Sequence, residues 1–281
     1  MNKKMPYFDY LLAGLDKGSA SLEKSFGLHV HWGYWSQPKL ALFTSEDYLV
    51  AAEALTSLIY SSAQVSDGQR VLDVGCGFGG TIDAINKAFQ NMGLVGLNID
   101  ERQLERARQQ IFAIGENSVE FQQGDACALP FEDNSFDVVL AVECIFHFPS
   151  RELFFQEAYR VLKPGGYLAL SDFLLNKNLS KLDKRIGLQN SSTQFFGSCN
   201  VDFTVDAYRQ LAQSIQFEIE LVKNITHNSL PTYKYLKSLI KPSNLPIIKR
   251  MGILATIGLI ELLSKLRLLN YVVFAFKKPQ I

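Results

Sequence analysis

A glycine-rich turn and three polar side chains lie at positions that suit a small cationic ligand. Residues 71–80, VLDVGCGFGG, carry the pattern G-x-G-x-x-G, and Asp73 lies two residues before its first glycine. Asn98 follows in GLVGLNI, and Asp125 follows in FQQGDA. Such a turn exposes backbone N–H groups and lets a ligand approach the chain closely. Dinucleotides use the same kind of turn, so the neighbouring residues must decide the ligand.

The carboxyl group of Asp73 favours a cation over a pyrophosphate. A carboxylate here would repel paired phosphates and attract an ammonium or sulfonium group. About 20 residues on, where a dinucleotide fold has a ribose-binding acid, the chain has Asn98, whose amide can still bond to ribose hydroxyls. With Asp125 and no cluster of basic residues, this set suits an adenosine that carries an amino-acid tail. A nicotinamide-dependent oxidoreductase is the less favoured alternative.

Alternating strand and helix patterns indicate the scaffold that holds these residues. RVLDVGC, GLVGLNI, VEFQQGDA, FDVVLAVE and YLALSDF read as buried strands separated by helical patterns. Asp100, Ser150 and Thr204 lie where helix N-caps are expected, and Gly115 lies where the second of these helices should stop. The alternation predicts an open, mostly parallel α/β sheet covered by helices on both faces. Ligands bind such sheets beyond the carboxyl ends of the strands, where the three polar residues converge.

The regions outside this rhythm are expected to cover the sheet. Residues 1–65 contain HVHWGYW and are predicted to form an N-terminal helical cover over the core, which spans residues 66–281. Within the core, two insertions, at about 174–203 and 230–268, are expected to form lids over the ligand site. The second insertion is apolar and helical with a basic flank, which leaves a homo-oligomer interface and a peripheral membrane contact open.

Charge balance, cysteine content and apolar runs limit the partners and the cellular compartment that the sequence predicts. The chain has 28 Lys and Arg residues and 28 Asp and Glu residues, so its formal net charge is zero. This balance argues against nonspecific electrostatic binding of nucleic acid. The 4 cysteines have no C-x-x-C spacing and no zinc-like histidine partners, so free thiols, no metal site and the reducing cytoplasm are expected. No secretory signal is expected, and the longest apolar run, residues 251–263, is too short to span a bilayer.

The motifs together resemble those of class I S-adenosylmethionine-dependent methyltransferases. VLDVGCGFGG, VGLNIDERQLERAR and the long stretch from FQQGDA to LSDF fall in that family's order, and the resemblance covers roughly residues 28–227 and 270–278. HVHWGYW and ECIFHFP resemble the small-molecule branch that includes sarcosine, tocopherol and natural-product sugar methyltransferases. The resemblance implies a Rossmann-like, doubly wound sheet of seven strands whose last strand is antiparallel. It also implies S-adenosylmethionine as cofactor and a small-molecule acceptor.

The resemblance also implies which residues meet the cofactor. The glycine-rich turn and its acid are expected at the methionine part, Asn98 and Ile99 at the ribose and adenine, and Asp125 with Ala126 at the adenine amino group. Tyr34 is expected near the cofactor or its methyl group. The full predicted cofactor set is Tyr34, Asp73, Gly75, Cys76, Gly77, Gly79, Asn98, Ile99, Gln103, Asp125, Ala126 and Val142.

Methyl transfer from a sulfonium requires an acceptor held in line with the methyl group in a site that excludes water. A hydroxyl acceptor also needs a base, and His147, just past the fourth strand, is the best candidate. Asp172, at the end of the fifth strand, is expected to open beside the same crevice and to orient the imidazole or bind the acceptor. In related sugar methyltransferases a His and an Asp at the matching positions are the proposed catalytic pair.

The sequence therefore predicts a cytoplasmic enzyme that O-methylates a small, hydrophobic specialised metabolite. Carbon and nitrogen acceptors use similar scaffolds and stay open as alternatives. A non-catalytic binding protein that retains the fold is a third hypothesis, and the intact cofactor motifs argue against it.

Overall fold

Helices and strands alternate through most of the chain. The computed structural model describes residues 6–176, 199–240 and 245–280. The helices are α1 (Pro6–Asp16), α2 (Ala20–Phe26), α3 (Ser45–Ser62), α4 (Gly80–Ala88), α5 (Glu101–Gln110), α6 (Arg151–Val161), α7 (Val205–Ile215), α8 (Thr226–Ser229), α9 (Pro231–Ile240) and α10 (Ile247–Lys265), with 3₁₀ turns at Pro38–Leu40 and Ile145–His147. The strands are β1 (Arg70–Val74), β2 (Gly93–Asn98), β3 (Ser118–Gln123), β4 (Phe136–Ala141), β5 (Leu162–Leu175), β6 (Glu218–Asn224) and β7 (Leu269–Lys277).

The strands form one sheet of seven in the order β3-β2-β1-β4-β5-β7-β6. Strands β1 to β5 pair in parallel, whereas β7 runs antiparallel to both β5 and β6. The predicted α/β sheet with an antiparallel last strand is therefore confirmed. Chain order reverses between β1 and β4, and ligands of open α/β sheets bind in the crevice at such a point.

The predicted N-caps are confirmed by their hydrogen bonds. The side chain of Asp100 accepts from the backbone N–H of Arg102 at 3.1 Å, and that of Ser150 accepts from Leu153 at 3.1 Å. The Thr204 hydroxyl accepts from the N–H of Ala207 at 3.2 Å. Each bond satisfies a donor that a helix start leaves without an intrahelical partner, and so fixes where the helix begins.

The end of α5 differs from the prediction. The helix stops at Gln110 and not near Gly115, because Ile111 turns into extended backbone and is buried in the core. The side chain of Asn86 on α4 then donates to the carbonyl oxygen of Phe112 at 2.9 Å and holds the departing chain. The Phe112 side chain, just past the end of the helix, is 70% exposed.

The two faces of the sheet bury separate apolar clusters. On β5 the side chains of Ala169 and Phe173 belong to one cluster, whereas those of Leu170 and Leu174 belong to the other. This follows from the two-residue period of a strand, which sends successive side chains to opposite faces. The face toward which a β5 residue points therefore decides whether it can reach a site on one side of the sheet.

The N-terminal helices pack on the insertion that precedes β7. Tyr48 on α3 stacks on Tyr235 on α9 with ring centroids 4.5 Å apart, and both are buried with Leu11 and Phe26 of α1 and α2. The second predicted lid, residues 230–268, is largely formed by α9 and α10. Most of the first, 174–203, lies outside the described residues. Within the part of the chain that is described, no helix combines the length and apolar character needed to cross a membrane.

Candidate active site

A buried, unpartnered carboxyl group lies at the end of β1. Asp73 is 1% exposed, and neither of its oxygens makes a hydrogen bond to a described residue. Burial raises its pKa from 3.8 to about 7, and the nearby Thr81 side chain moderates that rise. A buried carboxyl without a partner is costly. Such a group is expected where a ligand supplies the missing partner.

The glycine-rich turn after β1 is built for close approach. Gly75 and Gly79 have φ angles of +74° and +86°, in the left-handed region that favours glycine. A Cβ on Gly75 would lie 2.7 Å from Cβ of Cys144, and one on Gly79 would lie 2.4 Å from Cδ1 of Ile111. Both positions are therefore closed to larger residues.

The amide groups of this turn argue against a pyrophosphate ligand. The N–H groups of Gly75 and Cys76 both donate to the Leu97 carbonyl oxygen, at 2.7 Å and 3.1 Å. A phosphate cradle needs such N–H groups to face the ligand. The Cys76 thiol packs in the core, where burial raises its pKa well above the ordinary value and keeps it protonated.

The next polar group comes from the end of β2 and the start of α5. Asn98 donates from Nδ2 to Oε1 of Gln103 at 2.9 Å, and its Oδ1 accepts from the N–H of Ile99 at 2.8 Å. Gln103 is 1% exposed, yet its Nε2 has no hydrogen-bond partner among the described residues. Its Oε1 lies 3.9 Å from where a Cβ on Gly77 would be. This orphaned donor therefore lies beside the glycine-rich turn.

The remaining predicted cofactor residues differ in exposure. Asp125, just after β3, is exposed, and its Oδ1 accepts from the N–H of Cys127 at 2.9 Å. Ile99 is 49% exposed, whereas Ala126 and Val142 are buried. We call the set of Asp73, residues 75–79, Asn98, Gln103 and Asp125 the strand-end crevice.

S-adenosylmethionine, the expected cofactor, fits the strand-end crevice. Its amino-acid part carries an ammonium group beside a sulfonium, and the carboxyl of Asp73 lacks such a cationic partner. Nε2 of Gln103, which has no partner among the described residues, can donate a hydrogen bond to a ribose oxygen. The two unsatisfied groups are thus complementary to the amino-acid part and the ribose of this molecule.

An apolar cavity of about 230 Å³ lies next to the strand-end crevice. Glu143 lines the cavity, and the following residue, Cys144, lies against Gly75, so the two spaces share the segment after β4. We call this space the acceptor cavity. It is lined by Tyr7, Tyr10, Leu11, Leu22, Phe26, Val30, His31, Trp32, Tyr48, Glu143, Phe146, His147, Phe173, Leu175, Cys199, Val201, Leu236, Leu239, Ile240, Thr256, Ile257, Leu259, Ile260, Leu263 and Leu269.

His147 lies on the wall of the acceptor cavity, in the 3₁₀ turn after β4. Its Nε2 is 3.4 Å from the hydroxyl of Tyr7, and its Nδ1 is 3.9 Å from Sγ of Cys199. Burial raises the pKa of Tyr7 well above its ordinary value, so that hydroxyl stays neutral. One imidazole nitrogen therefore already pairs with a neutral hydroxyl on the cavity wall.

Glu143 is a second ionisable group on the cavity wall, and the sequence analysis missed it. Its Oε2 accepts from the N–H of Trp32 at 2.9 Å and from the hydroxyl of Tyr271 at 2.6 Å. Its Oε1 makes no hydrogen bond to a described residue. Burial raises its pKa from 4.5 to about 8, so the carboxyl is mostly protonated at neutral pH. An acid directly after a buried strand, in AVEC, was the signal that could have revealed it.

The backbone of Glu143 is held in a conformation that favours glycine. Its φ is 51°, and its N–H donates to the Ser171 hydroxyl at 3.0 Å. Left-handed backbone at a residue other than glycine costs free energy and concentrates at functional sites. The surrounding bonds keep the side chain directed to the cavity.

The expectation for Asp172 is wrong. Strand β5 continues to Leu175, so Asp172 lies inside the strand and points to the face opposite Phe173, away from the acceptor cavity. It is fully buried, and its Oδ2 accepts from Nη2 of Arg151 at 2.8 Å and from the Tyr208 hydroxyl at 2.6 Å. The two-residue period of the strand thus separates it from His147.

The expectation for Tyr34 is also wrong. Residues 32–35 run from the end of β4 toward α8, because the N–H of Gly33 donates to the Thr232 hydroxyl and that of Trp35 donates to the Asn228 carbonyl. Nζ of Lys223, on the edge strand β6, lies 5.4 Å from the centre of the Tyr34 ring. Tyr34 is therefore several strands away from β1 and the strand-end crevice.

Two neutral histidines anchor the HVHWGYW segment instead. Nε2 of His31 is 3.0 Å from the Thr56 hydroxyl and 3.2 Å from Nδ1 of His29, and its Nδ1 donates to the Trp32 carbonyl at 2.9 Å. Burial lowers the pKa of His29 to about 3 and that of His31 to about 4. His29 also packs on the first turn of α4, since a Cβ on Gly80 would lie 2.5 Å from its Nδ1.

Comparisons with known proteins agree with this geometry. Residues 72–170 match the family described as a methyltransferase domain. The chain is 31% identical over 224 residues to methyltransferase GfsG of Streptomyces halstedii, which covers 77% of this chain and 76% of that protein. It is 40% identical over 164 residues to 27-O-demethylrifamycin SV methyltransferase of Amycolatopsis mediterranei, over 58% of this chain and 57% of that protein.

A solved structure shares the whole architecture. A mycolic acid cyclopropane synthase, complexed with SAH and CTAB, superposes with a TM-score of 0.78 and covers 98% of this chain and 99% of its own. The identity is 15%, so this likeness establishes the fold and does not identify the acceptor.

Proposed function

Because the chain belongs to the S-adenosylmethionine-dependent methyltransferases that act on small molecules, we propose that it methylates a hydroxyl group of an apolar specialised metabolite, with His147 as the base. The observation that carries this proposal is the pairing of Nε2 of His147 with a neutral hydroxyl, that of Tyr7, on the wall of an apolar cavity. An acceptor hydroxyl that replaced the Tyr7 hydroxyl would meet the same nitrogen.

The strand-end crevice is proposed to hold the cofactor, whose sulfonium supplies an electrophilic methyl group when bound. Asp73 accepts from the ammonium group, and the glycine-rich turn (Gly75, Cys76, Gly77, Gly79) lies along the methionine part. Asn98 and Gln103 bond to the ribose, while Asp125 bonds to the adenine amino group. Ile99, Ala126 and Val142 complete this proposed cofactor contact set.

His147 is proposed to take the acceptor proton as the oxygen attacks the methyl group. This step requires a neutral imidazole, and the mostly apolar walls of the cavity exclude water from the reacting groups. General base catalysis of this kind is typically worth about 10² to 10⁴ in rate. The bound cofactor would supply the methyl group to the acceptor oxygen, and the acceptor proton would remain on Nε2 of His147.

Glu143 is proposed to position the acceptor. Glu143 lines the cavity, its Oε1 makes no hydrogen bond to a described residue, and its raised pKa keeps the carboxyl protonated near neutral pH. A protonated carboxyl donates a hydrogen bond to a carbonyl or ether oxygen of the acceptor. Such a bond in an apolar cavity discriminates against acceptors without that oxygen.

The experiment supplies methyl-labelled S-adenosylmethionine with two acceptors of contrasting chemistry. 27-O-demethylrifamycin SV offers an apolar body with a free hydroxyl, and sarcosine offers a small charged amine. We expect label in the solvent-extractable product and none on sarcosine, since the cavity walls are mostly apolar. Faster methylation of sarcosine would contradict the proposed acceptor class.

Carbon methylation is a second candidate, favoured by one observation. The cavity places the carboxyl of Glu143 among aromatic walls that include Trp32 and Phe173, whose rings are 4.7 Å apart. Aromatic faces stabilise a carbocation of the kind that alkene methylation generates. NMR of the labelled product separates the two candidates, because a methoxy signal supports O-methylation and a C-methyl signal supports this alternative.

A further inference from the structure

The outer face of α10 is apolar where a surface helix is normally polar. Its exposed side chains recur every three or four residues and so form one stripe along the helix. A helix of a water-soluble domain ordinarily presents polar residues on this face. The outer stripe consists of Ile248 (84% exposed), Met251 (64%), Leu259 (37%), Leu262 (52%) and Leu266 (58%), with Gly252 and Ala255 between them.

The charges around the outer stripe are almost all basic. Lys249 lies near its start and Arg267 just beyond its end, and both are exposed. The one acid of α10, Glu261, forms ion pairs with Lys237 of α9 and with Lys265. An apolar stripe with basic flanks is the pattern of a helix that lies in the interface of an anionic membrane.

A second copy of this chain fits the outer stripe less well than lipid does. A two-fold interface brings the same patch of each copy together. Antiparallel packing of two α10 helices would set Lys249 of one copy opposite Arg267 of the other, and parallel packing would set each residue against itself. Either arrangement opposes like charges, whereas anionic headgroups neutralise both ends.

The outer stripe is continuous with the acceptor cavity. Leu259 belongs to the stripe and also lines the cavity, and the buried side of the same helix contributes Ile257 and Ile260. The cavity wall therefore reaches the apolar surface. A ligand dissolved in the acyl region of a bilayer would meet this wall without crossing water.

We propose that α10 docks on the surface of an anionic phospholipid bilayer, with the outer stripe buried at the boundary between headgroups and acyl chains. The docking needs no acceptor, so it stands or falls independently of the proposed reaction. A helix with one apolar stripe and basic flanks lies in the plane of the bilayer surface.

The test is flotation of the full chain with vesicles made of equal parts phosphatidylcholine and phosphatidylglycerol, compared with vesicles of phosphatidylcholine alone. We expect binding to the anionic vesicles that weakens at high salt. The variant Ile248→Glu/Leu262→Glu is expected to partition at least about tenfold less, because it removes apolar area and adds like charge. The matched control, Phe112→Glu/Leu153→Glu, makes the same change at exposed positions away from α10 and should bind as the parent does.

Both variants should bind S-adenosylhomocysteine with the affinity of the parent, which shows that they are folded. Failure of the parent to float with anionic vesicles would overturn the proposal, as would equal losses in the stripe variant and the control. Light scattering after size-exclusion chromatography tests whether a second copy of the chain occupies the outer stripe instead. A parent dimer that the stripe substitutions convert to a monomer would assign the outer stripe to a second copy and overturn lipid docking.

Discussion

Replacement of Asp73 by Asn separates the stability of the protein from its affinity for the cofactor. The buried carboxyl of Asp73 has a pKa of about 7 against an ordinary value of 3.8. Between these two pH values the unfolded chain has released the proton while the folded chain keeps it. Folding stability is therefore lost as pH rises through this window and levels off above about pH 7.

The size of this loss follows from the pKa difference. Holding Asp73 ionised in the folded, cofactor-free chain costs about 4 kcal/mol at pH 8, and about 1.5 kcal/mol has already been lost at pH 5. Asn keeps the shape and removes the charge. We expect the advantage of Asp73→Asn in free energy of unfolding to grow by about 3 kcal/mol between pH 5 and pH 8.

In affinity for the cofactor, the parent should exceed Asp73→Asn, the opposite of their order in stability. The ammonium group that Asp73 is proposed to bind loses a charge-assisted hydrogen bond in the variant, and such bonds contribute about 1.5–3 kcal/mol. The affinity for S-adenosylhomocysteine should therefore fall by about ten- to a hundredfold.

Urea unfolding at four pH values and calorimetric titration with S-adenosylhomocysteine measure both effects, and Asp16→Asn, at an exposed position on α1, is the matched control. An Asp73→Asn variant that is less stable than the parent at pH 8 and binds S-adenosylhomocysteine equally well would refute the reasoning.

Three further substitutions test other parts of the structure. Gly79→Ala places a Cβ 2.4 Å from Cδ1 of Ile111 at a φ of +86°, and urea unfolding should show a loss of about 1–3 kcal/mol. Asp172→Asn leaves the buried guanidinium of Arg151 without its charge partner, so the free energy of unfolding should fall by about 3–5 kcal/mol. The kcat of the folded variant should stay within twofold of the parent. A fall in kcat without the loss of stability would instead indicate a catalytic role for Asp172. Glu143 has a pKa of about 8 against an ordinary 4.5, so Glu143→Gln should gain about 4 kcal/mol in free energy of unfolding over the parent as pH rises from 5 to 9. Thermal unfolding across that range would show no such gain if the group titrates normally.

The parts of the fold that local patterns determine were predictable. Helix starts at Asp100, Ser150 and Thr204 follow from side chains that bond to the first free amides, and the sheet follows from the alternation of buried strands and helices. The antiparallel last strand came from the resemblance to a family. The division at residue 65 stays a prediction.

The errors concern residues whose position depends on distant parts of the chain. Asp172 was assigned to the crevice because the end of β5 was placed too early, and one residue of register decides which face a strand residue occupies. Tyr34 was misplaced because bonds to Thr232 and Asn228, almost 200 residues away, set the path of its segment. Glu143 was missed because its role depends on Trp32 and Tyr271, which only the folded chain brings to it.

Nε2 of His147 is proposed to remove a proton from an acceptor in the acceptor cavity. The most direct measurement compares His147→Ala with the parent in both kcat, on an acceptor that the labelling experiment identifies, and the affinity for S-adenosylhomocysteine. A general base predicts a fall in kcat of about 10² or more with the affinity changed less than twofold. Equal losses of turnover and affinity, or an unchanged kcat, would contradict it.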